Sequence, residues 1–134
     1  MTIASTIAVS GLTAASLRLR VAASNIANSL SDGPLPEAAN FEDFPPAYSA
    51  LRVNQTDRVG GATAAAAIAV SPAIVPSYDP TAPFADAKGM VAAPNIGLAN
   101  DVVQLLLARF SFAASTLVIR TDAQMSAAFL DMTA

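Results

Sequence analysis

"IASTIAVSGLTAASLRLRVAASNIAN", residues 3–28, places small or apolar residues at Ile3, Ile7, Ser10, Ala14, Leu17 and Val21, in alternating steps of four and three. That spacing keeps one face of a 3.6-residue turn apolar, and it predicts a helix through this stretch. A second stripe runs through Leu12, Ala15, Leu19, Ala22 and Ile26, so the helix needs two neighbours or one wide one. Only Met1 and Thr2 stand ahead of Ile3, which predicts a poorly capped start that frays when unpartnered. Ser31-Asp32-Gly33-Pro34 predicts the stop, with Gly33 offered as a left-handed cap and Pro34 unable to continue. Just before it sit two amides, Asn25 and Asn28. They either fix the register of packed helices, as a polar residue does in a coiled coil, or end the helix with solvent satisfying them.

The alternation returns from Leu98 to about Asp131, through Ala99, Val103, Leu106, Phe110, Ala113 and Leu117. A second set, Leu98, Val102, Leu105, Phe112, Ile119 and Leu130, widens the apolar face. Leu105-Leu106-Leu107 points three ways within one turn, which predicts a helix surrounded on all sides. Phe110 and Phe112 read as packing residues, and Gly97 falls where a cap belongs.

The middle is less regular. Residues 35–58 contain Pro36, Pro45 and Pro46 and little periodicity, and predict an extended or loosely ordered segment. Residues 62–75 carry β-branched Thr63, Ile68, Val70, Ile74 and Val75 between Gly60-Gly61 and Pro76, which fits one or two short strands; the alanine run is equally compatible with a helix. Within 78–95 the punctuation predicts a turn at Ala87-Lys88-Gly89, turn roles for Asp79 and Asp86, a positive φ at Gly89, and a short extended piece at Met90 to Ala92. The uncharged stretch 59–78 has the length of a membrane span. Its Gly60, Gly61, Pro72, Pro76 and abundant alanine argue against one. The expected fold is mainly α: an N-terminal helix over 1–30, an extended and partly β middle over 31–97, and a C-terminal helix over 98–134, the two helices packed as an antiparallel, coiled-coil-like pair.

Composition narrows the function. The 134 residues are 54% hydrophobic, yet there is no Trp and only two Tyr and six Phe. Alanine buries little area per residue, so a lone chain has a thin core and gains most from burying its helix faces against other chains. A net charge of −3 with scattered basic residues offers no patch for nucleic acid. No cysteine and no histidine are present, and no carboxylate dyad, catalytic triad, phosphate-cradling loop or metal-ligand cluster can be assembled. The expectation is no enzyme, no cofactor, no metal and no small-molecule substrate. The first charge is Arg18, so no secretory signal with a basic start is encoded.

"SGLTAASLRLRVAASNIAN", residues 10–28, closely resembles the N-terminal signature of bacterial flagellar axial proteins, the rod and hook family. "YDPTAPFADAKGMVAAPNIGLANDVVQLLLARFSFAAS", residues 78–115, resembles the proximal-rod branch of that family. The resemblance implies a structural subunit of the basal-body rod, exported by the flagellar type III apparatus, placed in the periplasm and polymerising through its terminal helices to build the hollow drive shaft. Implied partners are further copies, other rod proteins, the rod-to-membrane-ring adaptor and the export apparatus. The interface it implies comprises Ile3, Ile7, Leu12, Leu17, Leu19, Val21, Asn25, Ile26 and Asn28 on the first helix and Val103, Leu106, Phe110 and Leu117 on the last. A turn motif, Asp79, Pro80, Gly89, Pro94 and Asn95, precedes the last helix. The rival readings are an amphipathic helical protein that coats a granule or membrane surface, or another rod protein of the same family.

Overall fold

The computed structural model describes residues 2–38 and 41–132; Met1, Ala39, Asn40, Thr133 and Ala134, the outermost residues of both terminal segments among them, lie outside the described residues. In chain order the elements are α1 (Ile3–Ala27), a 3-10 turn (Phe41–Asp43), β1 (Leu51–Asp57), β2 (Thr63–Ala69), β3 (Ile74–Tyr78), β4 (Met90–Pro94) and α2 (Leu98–Asp131). Roughly 48% of the described residues are helix and 20% strand, so the expectation of a mainly α fold holds in part: two helices with a strand-containing middle. The difference comes from the middle. Within residues 35–58, expected to be extended or loosely ordered, Leu51–Asp57 form β1, whose only half-buried positions are Leu51 and Val53. A strand that exposes the rest leaves little hydrophobic pattern to read.

The two helices run antiparallel. Ser5 meets Asp122, a methyl added at Gly11 would lie 3.1 Å from the Ser115 hydroxyl, and Asn25 meets Asp101. As position rises on α1 it falls by the same amount on α2 to within one residue, so the pairing runs antiparallel along the length of α1. Small residues fill the seam, with Ala8, Ala15 and Ala22 buried on α1 and Ala108 on α2. Among the described residues, seven of the nine buried apolar ones are alanine; each hides one methyl, worth about 0.8 kcal/mol, so the core is as thin as the composition implies.

Both ends of α1 differ from expectation. Its start is capped: Thr2 is extended, and its hydroxyl accepts the Ser5 N–H at 3.2 Å. Its stop comes at Ala27, with Asn28 as the cap residue. Gly33 does not take a left-handed conformation. It exchanges both backbone hydrogen bonds with Ala92, at 3.0 and 2.9 Å, and so ties the exit of α1 to β4.

The strands form two separate antiparallel hairpins, β1–β2 and β3–β4. In the first, Leu51 faces Ala69 and Asp57 faces Thr63; in the second, Ile74 faces Pro94 and Tyr78 faces Met90. The alanine run is therefore strand, and residues 59–78 hold β2, β3 and the turns around them rather than a spanning helix. Asp79 and Asp86 shape the long β3–β4 loop. Asp79 accepts from the Thr81 N–H at 3.0 Å and hydroxyl at 2.6 Å, and Asp86 accepts from the N–H groups of Lys88 and Met90 at 2.7 and 2.8 Å. Gly89 sits there at φ +73°, a region that side chains rarely adopt. The rings of Phe44 and Phe84, 5.8 Å apart edge to face, hold that loop against the segment ahead of β1.

Candidate assembly surface

The two stripes of α1 have two neighbours inside the chain. The first stripe faces the β1–β2 hairpin. Ser10 Oγ accepts the Thr63 N–H at 3.0 Å, Arg18 Nη2 donates to Gln55 Oε1, and Asn25 pairs with Leu51. These contacts recur at two-turn intervals, bracketing buried Ala14 and Val21. The second stripe, through Ala15 and Ala22, faces α2.

Asn25 is where the layers meet. It is 2% exposed, and its amide is fully engaged. Nδ2 donates to Leu51 O at 2.8 Å and Asp101 Oδ1 at 3.1 Å, while Oδ1 accepts from Leu51 N at 3.1 Å and Tyr48 Oη at 3.2 Å. An amide has two donors and two acceptor sites, and each has a partner. Asn28, three residues on, stays local: its Nδ2 donates to Ser24 O at 2.8 Å, and its Oδ1 accepts from Ser31 at 3.3 Å. The two amides therefore differ: Asn25 bridges α1, β1 and α2, whereas Asn28 caps the end of α1 through partners within four residues.

A second polar latch closes the opposite end. Asp122 accepts from the hydroxyls of Thr2, at 2.7 Å, and Ser5. The Ser5 and Thr2 hydrogen bonds hold its carboxyl below the usual range, against a smaller opposing effect of burial. Asp79 is lowered by the Thr81 hydroxyl and Asp86 by the Met90 N–H, so both turn aspartates are also favoured as anions. Thr2, Ser5, Asp101 and Asp122 were not among the expected site residues. The readable signal was the interval from Asp101 to Asp122, three heptads along an otherwise sparsely charged helix.

The remaining expected residues divide. Val21 is buried, and Leu12, Leu17 and Ile26 are half-buried. Ile3, Ile7 and Leu19 are exposed on α1. Pro94 is buried at the end of β4, Asn95 donates to Pro72 O at 2.8 Å, and Pro80 lies against Gly89. Val103, Leu106, Phe110 and Leu117 are all exposed, Phe110 at 70%. They stand half a turn from the seam residues Leu105, Ala108 and Ser115, on the opposite face of α2. Leu106, Leu107, Phe110 and Phe112 therefore lack the surroundings the sequence implies for them.

Residues 6–31 match the family model described as flagella basal body rod protein. Over 132 residues the chain is 33% identical to the flagellar basal-body rod protein FlgC of Agrobacterium fabrum, covering 96% of this chain and 92% of that one. It is 36% identical over 125 residues to the protein of the same name in Escherichia coli O6:H1, and 35% identical over 124 residues to that in Salmonella typhimurium; each match covers 89% of this chain and 87% of the relative. The chain belongs to the flagellar basal-body rod protein family. In this rod-family chain the matched 6–31 segment holds Ser10, Arg18, Asn25 and Asn28, the residues through which α1 engages its neighbours or ends. The likeness to the relatives runs on through both hairpins and α2.

Proposed function

We infer that this chain is a structural subunit of the flagellar basal-body rod, with no chemical step of its own, and that it joins other rod components through the outer face of α2. The supporting observation is the stripe Val103, Leu106, Phe110 and Leu117, left open by a helix pair whose own seam is already complete. Covering a large apolar side chain fully is worth about 1.5–3 kcal/mol, and a contiguous apolar stripe of this kind marks an interaction surface. Within that reading the chain sits in the proximal rod, in the periplasm after export by the flagellar type III apparatus, against further copies, other rod proteins and the rod-to-ring adaptor.

The same exposed side chains underlie the surface-coat alternative, and α2 is long and apolar enough to cross a membrane, with a mean hydropathy of 1.8 over its most apolar window. Against lipid stands the seam face of the same helix, where Asp101 and Asp122 are hydrogen-bonded to α1. This favours a helix built to work as one of a pair.

Deleting the gene, scoring swimming and imaging isolated basal bodies, with this chain supplied for complementation, tests the inference. Loss of swimming and of the rod beyond its base, both restored by the chain, is the expected result. Normal rods and swimming after deletion, with the purified chain partitioning onto lipid vesicles, would overturn it.

A further inference from the structure

The two hairpins treat their edges differently. In an antiparallel pair, alternate residues exchange both backbone bonds and the ones between point outward. Arg58 N donates to Ala62 O and Val70 N to Ala50 O, so in β1–β2 the even-numbered residues carry the ladder and the odd-numbered ones face out. Helix α1 satisfies two of these: Asn25 takes both groups of Leu51, and Ser10 takes the Thr63 N–H. Among the described residues, nothing bonds the outward backbone groups of Val53, Gln55 and Asp57 on β1, or of Ala65, Ala67 and Ala69 on β2.

The β4 edge of β3–β4 is shut by contrast, and Pro76 interrupts the β3 edge. Asp79 N donates to Gly89 O and Asn95 N to Ala73 O, so the even-numbered residues face out there. Pro76 and Pro94 have no N–H to offer, Met90 N is taken by Asp86, and Ala92 is paired in both directions with Gly33. Closing the β4 edge and breaking the β3 edge with Pro76, while β1–β2 keeps three outward residues on each side, singles out β1–β2, since an unpaired edge is a template for another strand.

We propose that the β1–β2 hairpin joins copies of this chain edge to edge, β2 of one copy adding to β1 of the next. The two open edges match: each presents three outward residues, and they lie on opposite sides of one hairpin whose strands run in opposite directions. When successive copies keep the same orientation, β2 meets the next β1 antiparallel. Full overlap sets Ala65 opposite Asp57, Ala67 opposite Gln55 and Ala69 opposite Val53. The alanine side chains of β2 present no bulk or charge to the contact. Such a contact is heterologous, so each copy offers a free edge to the next and the pairing can repeat along a growing assembly. The proposal takes its setting from the rod reading, and its tests separate the two.

The chain has no cysteine, so purified full-length Asp57→Cys and Ala65→Cys proteins, tagged differently and mixed with a short bis-maleimide, report the pairing directly. The expected product is a mixed dimer at least tenfold more abundant than either like-with-like dimer. No mixed excess, or an Ala65→Cys dimer alone, overturns the proposal whatever becomes of the rod reading. In complemented cells, Ala67→Pro removes an outward N–H as Pro76 does in β3. It is expected to abolish swimming while Ala67→Ser swims normally; swimming by the proline variant would overturn the proposal, and failure of the unaltered chain to restore swimming would instead count against the rod reading.

Discussion

Thr2 donates its hydroxyl to Asp122 at 2.7 Å, a bond between residues 120 positions apart. With Ser5 beside it, this contact fixes the start of α1 against the far end of α2, while Asn25 and Asp101 fix the other end. Between the latches lie mostly alanine, glycine and serine, side chains too small to resist sliding. The polar contacts therefore join the two helices at positions where the side chains between them supply little interlocking bulk.

Asp122 gives that joining a pH dependence. Its carboxyl is held below the ordinary 3.8, by Ser5 first and then Thr2. A group with a lowered folded-state pKa contributes stability above its unfolded value and loses it as pH falls through the folded one. Thermal melting between pH 7 and pH 3 is expected to show the unaltered chain losing stability more steeply below about pH 4 than Asp122→Asn, which is weaker at neutral pH and flatter in acid. Parallel curves for the two proteins would remove Asp122 from the latch.

Asn25 and Asn28 are chemically alike and differ in consequence. Asn25→Leu leaves the Leu51 N–H and C=O without their partner and should cost about 2–3 kcal/mol. Asn28→Ala removes a local bond next to solvent and should cost under about 1 kcal/mol. Denaturant unfolding of the two variants measures the difference; equal losses would mean that Asn25 does not hold the hairpin to the helices.

Gly33 is required by space. A methyl there would lie 2.4 Å from Ala47 N and 2.8 Å from Pro45 O, backbone atoms that have little room to move, and Gly33 also pairs with Ala92. Gly33→Ala should cost about 2–3 kcal/mol, whereas Gly97→Ala, whose nearest neighbour would be Asn100 Cβ at 3.5 Å, should be close to neutral. Their melting temperatures report this contrast.

Much of the helical frame was legible. The two stripes of α1 do have two neighbours, and α2 spans Leu98–Asp131, although its apolar stripe lies on the face turned away from α1. The strands were only half visible: the pairing of β2 with β1 overrides the indifferent strand preference of alanine, and β1 exposes most of its residues. Thr2 capping gave no signal, and the Asp101–Asp122 interval places two aspartates on one face of α2 without pointing to the Thr2 and Ser5 hydroxyls near the other end of the chain. Gly33-Pro34 misled for a related reason, because the glycine serves a contact with β4 and not the end of α1.

On the outer face of α2, Leu106→Glu and Phe110→Glu should leave the melting of the purified chain within about 0.5 kcal/mol of the original, because both side chains are already in water. Each should nevertheless abolish complementation of swimming. A swimming Phe110→Glu strain would separate this stripe from assembly.

The most direct measurement is electron cryomicroscopy of basal bodies from cells whose only copy of this rod protein is the chain described. The account predicts Val103, Leu106, Phe110 and Leu117 packed against neighbouring chains, with α1 still latched along the other side of α2 through Asp122 and Asn25. Finding that stripe facing solvent or lipid, or α1 parted from α2, would contradict it.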